Sequence, residues 1–348
     1  MRNAFLERIG IRYPIIQAPM GGANATPPAL VAAVSNAGAL GFLGAAYMSP
    51  EQIASECNAI RALTDRPFGL NLFAPTDIPD SPGDIDAAMA CVARFHTELG
   101  LAAPARPALP TYSFDDQLGA ALEGGMSVFS FTFNTLPKDT IARVKRRGVY
   151  VIGTATTVEE AGILAALGVD AIAAQGSEAG AHRGTFAGSF ESSMVGTMAL
   201  VPQIVRTVAL PVIASGGIMT GRAIAAAMTL GASAAGLGTA FLVTDECGVA
   251  ESYKRLVLAS RDDGTRVTRA FSGRPARGIV NRAMTEIEAS ETILAYPYQN
   301  SLTRAMRTAA AAKDRAEYLS LWAGQGAPLA RRMPAARLVE TLVSEMTS

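Results

Sequence analysis

Short, uninterrupted apolar runs alternate along this chain with longer amphipathic stretches. The runs are Tyr13–Ala18, Leu40–Leu43, Phe68–Leu72, Ser127–Phe131, Val149–Ile152, Ala171–Ala174, Pro211–Ala214 and Ala235–Gly238. They lack the in–out alternation of a half-solvated strand, as expected of parallel strands buried on both faces. Helical segments are predicted between most of them, among them Pro28–Ala37, Pro50–Leu63, Lys138–Arg147, Val158–Leu167 and Gly221–Leu230. Ser49 can cap the second of these, and Pro50 suits the first helical position. Strand and helix in eightfold alternation close most simply into an α/β (β/α)8 TIM barrel; a doubly wound open sheet is the alternative.

Two stretches leave the pattern. Residues 74–126 are rich in proline (Pro75, Pro79, Pro82, Pro104, Pro107, Pro110) and read as an enlarged connection between the third and fourth strands. Gly248–Leu319 is polar, with acidic and basic residues interspersed, and reads as a helical excursion over the barrel mouth. Pro328–Thr347 reads as a helical tail returning to the barrel. The expected organisation is a barrel over 1–247, a helical covering region over 248–326 and a C-terminal helix over 327–348.

Composition narrows the function classes. The 348 residues are 49% hydrophobic and 17% charged, enough apolar material for one large core. Thirty Lys+Arg balance thirty Asp+Glu, so there is no electrostatic footprint for nucleic acid or an anionic membrane. Cys57, Cys91 and Cys247 are far apart and odd in number; they show neither metal-ligand spacing nor a disulfide framework. The N-terminus shows no apolar signal segment, and no run approaches ~18 apolar residues. A cytoplasmic protein without a metal, monomeric or homodimeric, is expected.

The chemistry-bearing residues gather at the strand ends. The first strand is followed by Gln17-Ala18-Pro19-Met20-Gly21-Gly22, the second by Gly44-Ala45-Ala46, and the third ends in Asn71. The sixth opens into Gln175-Gly176-Ser177-Glu178-Ala179-Gly180-Ala181-His182-Arg183-Gly184, which holds one of only two histidines. The seventh leads into Ser215-Gly216-Gly217-Ile218 and the eighth into Gly238-Thr239-Ala240-Phe241. Barrels bind phosphate with the loops after strands seven and eight and a helix N-terminus. Ser215, Gly216, Gly217, Gly238 and Thr239 fit that cradle; the bland alternative is that these glycines only make tight turns. No Gly-x-Gly-x-x-Gly follows the first strand, which favours a mononucleotide such as a flavin over a dinucleotide. His96, in the helix-like stretch Ala87–Leu99, reads as a surface residue.

With these motifs in place, the chain resembles the nitronate monooxygenases, formerly 2-nitropropane dioxygenases, of the bacterial class I type. The resemblance runs over nearly the whole length. Besides the loops above it includes Ala33–Gly41, Phe271–Gly278, Tyr296-Pro297-Tyr298-Gln299-Asn300 and Trp322-Ala323-Gly324-Gln325. The family's histidine loop has a glycine where this chain has Ala181. That position is expected to tolerate a Cβ.

The resemblance implies FMN as cofactor and oxidation of alkyl nitronates, such as propionate 3-nitronate, by O2 to a carbonyl compound and nitrite. It implies one-electron flavin chemistry, through a semiquinone, without a nicotinamide. It carries FMN contacts to Met20, Asn71, Gln175, Gly180, Gly217, Gly238 and Thr239; Ala18, Pro19, Gly21, Ser215 and Gly216 of the same loops complete the candidate cofactor set. His182 becomes the candidate catalytic residue, as hydrogen-bond donor to the nitro oxygens or base on the α-carbon of a neutral nitroalkane. A structural histidine is the alternative. Tyr296 and Tyr298 are candidate substrate-pocket residues. Glu178 and Arg183 flank the site; pairing with neighbours or capping the turn is the alternative to direct catalysis for both. A flavin-dependent enoyl-acyl carrier protein reductase, an NADH:quinone reductase, and a flavin-binding sensor or carrier are the competing functions.

Overall fold

The eight apolar runs form eight parallel strands in the computed structural model, which describes residues 3–22 and 24–347. These are β1 (Ile15–Gln17), β2 (Gly41–Gly44), β3 (Phe68–Phe73), β4 (Val128–Thr132), β5 (Tyr150–Ala155) and β6 (Ala171–Gln175), then β8 (Val212–Ser215) and β9 (Ala234–Leu237). Between β6 and β8 lies a two-residue strand, β7 (Ala181–His182), which belongs to a different sheet. The barrel order is β1-β9-β8-β6-β5-β4-β3-β2. The ring closes through a parallel bridge between Ile16 and Leu40, and the Gln17 side chain reinforces the seam by accepting from the Phe42 amide at 3.0 Å. The barrel prediction is therefore correct, and the strand positions agree to within a few residues.

The helices are α1 (Ala4–Ile9), α2 (Pro28–Asn36), α3 (Pro50–Leu63), α4 (Ile85–Glu98), α5 (Phe114–Glu123), α6 (Lys138–Arg146), α7 (Val158–Leu167), α8 (Thr197–Thr207), α9 (Gly221–Thr229), α10 (Glu251–Leu258), α11 (Arg282–Ala289), α12 (Tyr298–Ala312) and α13 (Ala335–Met346). Their starts follow local chemistry. Ser49 and Gln52 form a capping box at α3, with Pro50 in the first turn, and Thr220 caps α9. None of the described helices is long and apolar enough to cross a membrane.

Inside the barrel, Ile16, Phe42, Val128, Ile152, Ala171, Ile213 and Ala234 pack against Phe5, Leu6 and Ile9 of α1. Burying such side chains contributes about 1.5–3 kcal/mol each. Asn3 caps α1 and its amide also donates to the Ser233 carbonyl at 2.9 Å, so α1 is pinned as a floor across one end. Only the carboxyl ends of the strands remain open for a site.

The region after residue 247 departs from the helical expectation. Beside its helices it contains β10 (Thr265–Thr268) and β11 (Ala276–Ile279), which pair antiparallel. β11 also pairs with β7, with Ala276 opposite His182 and Arg277 opposite Ala181. The polar look of this stretch concealed a ribbon whose backbone partner, β7, lies almost a hundred residues earlier. α13 packs on α9 and α2. It seats on Gly221, where a Cβ would lie 2.1 Å from the Leu342 carbonyl, and the Glu345 carboxylate accepts the Gly221 amide at 2.8 Å.

Candidate active site

A cavity of about 230 Å³ opens at the carboxyl ends of the strands. It is lined by Ala18, Pro19, Met20 and Gly21 after β1, Asn71 of β3, Gln175, Gly180 and His182 of the β6 loop, Ser215, Gly216 and Gly217 after β8, and Gly238 and Thr239 after β9. The fold thus brings the loops after β1, β6, β8 and β9 and the end of β3 onto one space, while none of Gly44-Ala45-Ala46 lines it.

The loops after β8 and β9 form its polar end. Gly216 and Gly217 have φ of 119° and 72°, conformations that favour glycine. The backbone N–H groups of Gly217, Ile218, Gly238 and Thr239 have no protein acceptor among the described residues. Gly217 and Ile218 lie just before α9, whose N-terminal dipole favours negative charge, and Gly238 and Thr239 follow β9. A Cβ at Gly238 would meet nothing nearer than Ala18 Cβ at 3.9 Å, so the cradle is open there. Gly180 is different: a Cβ there would lie 2.6 Å from the Ala323 backbone, so this glycine admits the C-terminal segment as well as lining the cavity.

His182 faces the cavity from β7. One ring nitrogen, Nε2, lies 2.8 Å from Ser272 Oγ, which also accepts from the Arg274 amide at 3.2 Å. The ring is boxed by Phe133 at 5.4 Å, Trp322 at 5.6 Å, Phe73 at 6.1 Å and Tyr296 at 6.4 Å between centroids. Burial among these rings, and then the nearby Arg274 and Arg307 cations, push its pKa down to about 3. The imidazole is therefore neutral at working pH, able to accept or donate one hydrogen bond but supplying no positive charge.

The neighbours that flank His182 in sequence act on the loop. The Glu178 carboxylate accepts from the Thr197 amide at 2.9 and 3.0 Å, at the start of α8. The Thr197 hydroxyl lies 2.9 Å from both Glu178 and the Gly216 carbonyl, tying the histidine loop to the glycine loop after β8. Arg183 is buried and donates to the carbonyls of Gln175 and Ser193. Gln175, expected at the cofactor, lines the cavity but spends its amide on the loop: Nε2 donates to the His182 carbonyl at 2.9 Å and Oε1 accepts from Gly184 at 2.8 Å. Asn71 donates to Ser130 Oγ at 2.8 Å, leaving its carbonyl oxygen toward other partners.

Three expectations need correction. Ala181 does not sit in ordinary backbone: its φ is 62°, in the left-handed region. It has this conformation although it lies opposite Arg277 in the β7–β11 pairing. An L-residue pays about 1–2 kcal/mol in that region, while glycine pays about 0.5–1 kcal/mol in lost chain freedom. Ala181→Gly is accordingly expected to raise stability by a few tenths to about 1 kcal/mol, read as an upward shift in the denaturant midpoint at unchanged m-value. Second, Tyr298 is not a cavity residue; it starts α12 and packs against the core. Asn300 and Arg307, seven positions apart and so on one helical face, reach the cavity instead. Tyr296 does not line the cavity either; its ring meets that of His182 edge-on at 6.4 Å. Third, His96 is not a surface residue: it is buried on α4 and its Nδ1 lies 2.7 Å from the Ala102 carbonyl.

Several site residues escaped the sequence reading. Tyr47, Phe73, Phe133 and Arg307 line the cavity. Tyr47 comes one residue after the quoted Gly44-Ala45-Ala46, and Ser272 and Arg274 lie inside the quoted Phe271–Gly278 motif. Arg307, in the middle of a helix, carried no signal at all.

A barrel with unpartnered amides and a neutral histidine, walled by aromatic rings, in one cavity has the form of a small-molecule site. The comparisons specify which. A family model described as nitronate monooxygenase matches residues 2–345. Probable nitronate monooxygenases of Staphylococcus saprophyticus and Staphylococcus aureus strain Newman are 41% and 39% identical over 340 and 347 residues. The alignments cover 97% and 99% of this chain, and 95% and 97% of the relatives. Among solved structures, nitroalkane oxidase from Streptomyces ansochromogenes superposes with a TM-score of 0.89 at 40% identity, over 99% of this chain and 98% of that one. FabK from Thermotoga maritima superposes with a TM-score of 0.77 at 29% identity, over 100% and 96%. The chain belongs to the nitronate monooxygenase family. It is an oxidoreductase of the nitronate-oxidising type.

Proposed function

We propose that the protein oxidises alkyl nitronates with O2 to a carbonyl compound and nitrite, using FMN and no nicotinamide. The observation that carries this reading is the meeting, in one cavity, of the unpartnered amides after β8 and β9 with the neutral His182.

The residues fit a flavin mononucleotide. Gly217, Ile218, Gly238 and Thr239 offer amide donors to a phosphate, and the open space at Gly238 lets it approach the backbone. Met20 and its neighbours Ala18, Pro19 and Gly21, with Asn71, would flank the ring system. When bound, the flavin supplies the electron acceptor for the substrate carbanion and the route to O2. The chain's own residues do the rest. Phe73, Phe133, Trp322 and Tyr296 exclude water around His182, which strengthens every hydrogen bond made there. His182, neutral and held through Nε2 by Ser272, offers a hydrogen bond to a nitronate, or a lone pair to the α-proton of a neutral nitroalkane.

The purified protein is expected to be yellow and to release FMN rather than FAD on denaturation. Nitronate turnover should consume O2 with neither NADH nor NADPH present, because the substrate supplies the electrons. A colourless protein that fails to take up FMN would sink the cofactor assignment. Rapid anaerobic bleaching by NADPH but not by a nitronate would replace this reading with that of a reductase.

A further inference from the structure

We propose that Arg307, together with the Tyr47 hydroxyl, forms an oxyanion subsite that makes this cavity select anionic over neutral substrates. The proposal rests on the nitronate-oxidation reading and names the residues that give it charge selectivity.

Arg307 lines the cavity from α12, and its guanidinium is held rigid on one side only. Nη2 donates to the Asn300 carbonyl at 2.9 Å and to its Oδ1 at 2.8 Å, while Nε donates to the carbonyl and hydroxyl of Thr303 at 3.3 and 3.2 Å. Nη1 has no protein acceptor among the described residues. All the partners are neutral, and among those residues no carboxylate pairs with this cation. An unpaired guanidinium withdrawn from bulk water is costly, and a bound anion offsets that cost.

Tyr47 lines the same cavity, and its hydroxyl is buried without a hydrogen-bond partner. The charged groups that act on this hydroxyl are Arg307, Arg304 and Arg274; those that act on His182 are Arg274 and Arg307. No carboxylate is among them, so this end of the cavity is uniformly cationic. Of the cations, Arg274 is committed elsewhere, lying 4.0 Å over the Phe133 ring and donating to the Thr185 carbonyl at 2.5 Å. His182 is neutral and cannot supply the counter-charge. Arg307 is thus the preorganised cation with a donor to spare, in the same cavity as the Tyr47 phenol, whose hydroxyl neighbour is that of Tyr296. A planar guanidinium matches a planar two-oxygen anion. Both the O–N–O of a nitronate and a carboxylate elsewhere on the same substrate have that shape.

The test uses the FMN-loaded protein. Trp322, the single tryptophan of the chain, lines the same cavity, so its emission reports binding without turnover. Sodium nitrite and sodium propionate should titrate the wild type saturably. Arg307→Met should weaken that binding by about tenfold to a hundredfold, the usual worth of a hydrogen bond to a charged group, and Arg307→Lys should restore part of it. In steady state, kcat/KM for propionate 3-nitronate should fall by a similar factor in Arg307→Met, through KM more than kcat; where the nitronate group itself is bound, the ratio of kcat/KM for ethyl nitronate to that for nitroethane should fall with it. If propionate 3-nitronate loses affinity and ethyl nitronate does not, the bound group is the carboxylate; if both lose equally, it is the nitronate itself. Either result supports the subsite. Wild-type anion affinity and wild-type KM for both nitronates in folded Arg307→Met overturn it. Should that variant not fold, unchanged anion affinity in both Arg307→Lys and Tyr47→Phe overturns it as well. A wild-type protein that oxidises no nitronate would defeat the functional reading, while the nitrite and propionate titrations would still judge the subsite.

Discussion

Replacing His182 by asparagine is expected to lower turnover of a neutral nitroalkane by ~10²–10⁴-fold, the usual worth of a general base, and turnover of a pre-formed nitronate by less. Asparagine keeps a similar size and a hydrogen-bond donor, so the pairing of β7 with β11 should survive. It cannot accept the α-proton, and that step is needed only when the substrate arrives protonated. Equal losses for both ionisation states would assign His182 to positioning rather than proton transfer. No loss for either would make it structural.

The pH dependence of the same residue is specific. Burial and then the Arg274 and Arg307 cations hold the imidazole near 3, against 6.5 for a free one. The lone pair is therefore available throughout about pH 5–8, and turnover should show no titration near 6.5 belonging to His182. A base so weak accepts a proton from carbon against a gradient, which makes the pre-formed nitronate the better substrate. For stability the sign is fixed by linkage. Between 6.5 and about 3 the unfolded chain binds a proton on His182 that the folded chain refuses, so stability is full above 6.5 and declines as pH falls through that window. His182→Asn should flatten that part of the acid limb in a plot of Tm against pH.

Gly238→Val is expected to abolish tight flavin binding, by ~10²-fold or more if two charge-assisted amide hydrogen bonds to phosphate are lost, while leaving the barrel folded. Its φ of −98° is open to any residue, and the new Cβ meets only Ala18 Cβ at 3.9 Å. The side chain therefore enters the cradle rather than the core. Flavin content after reconstitution and far-UV circular dichroism separate the two effects. Unchanged flavin content in a folded Gly238→Val protein would show that the β9 loop is not the phosphate site. Gly217 is a less clean probe, because its φ of 72° adds backbone strain to any substitution.

What the sequence determined by itself was the periodic part and the loops attached to it. Each barrel strand is a continuous apolar run, because both faces of a parallel strand are covered, and such a run is visible without any partner. The loops at the strand ends then fall on one side by topology alone, which gathers Met20, Asn71, His182, Gly217 and Gly238 at one end of the barrel. The helix starts at Ser49 and Thr220 were equally local, since a cap depends on three or four consecutive residues. The family motifs extended the reading to the cofactor and the reaction.

Only the tertiary structure decided the rest, and each case turns on a partner distant in sequence. The ribbon β10–β11 is recognisable only through its pairing with β7, and the positive φ of Ala181 within that pairing was equally out of reach of the sequence. The buried place of His96 depends on the Ala102 carbonyl and on what packs over α4. Gln175 lines the cavity, but that its amide also ties down the loop that carries His182 was visible only in the structure. Tyr298 and Arg307 lie on the same helix, but the face that α12 turns toward the barrel is set by packing, so the aromatic residue lies outside the cavity and the basic one lines it. The low basicity of His182 is likewise a property of enclosure: rings from four separate segments and two cations must be assembled around it before its pKa can move.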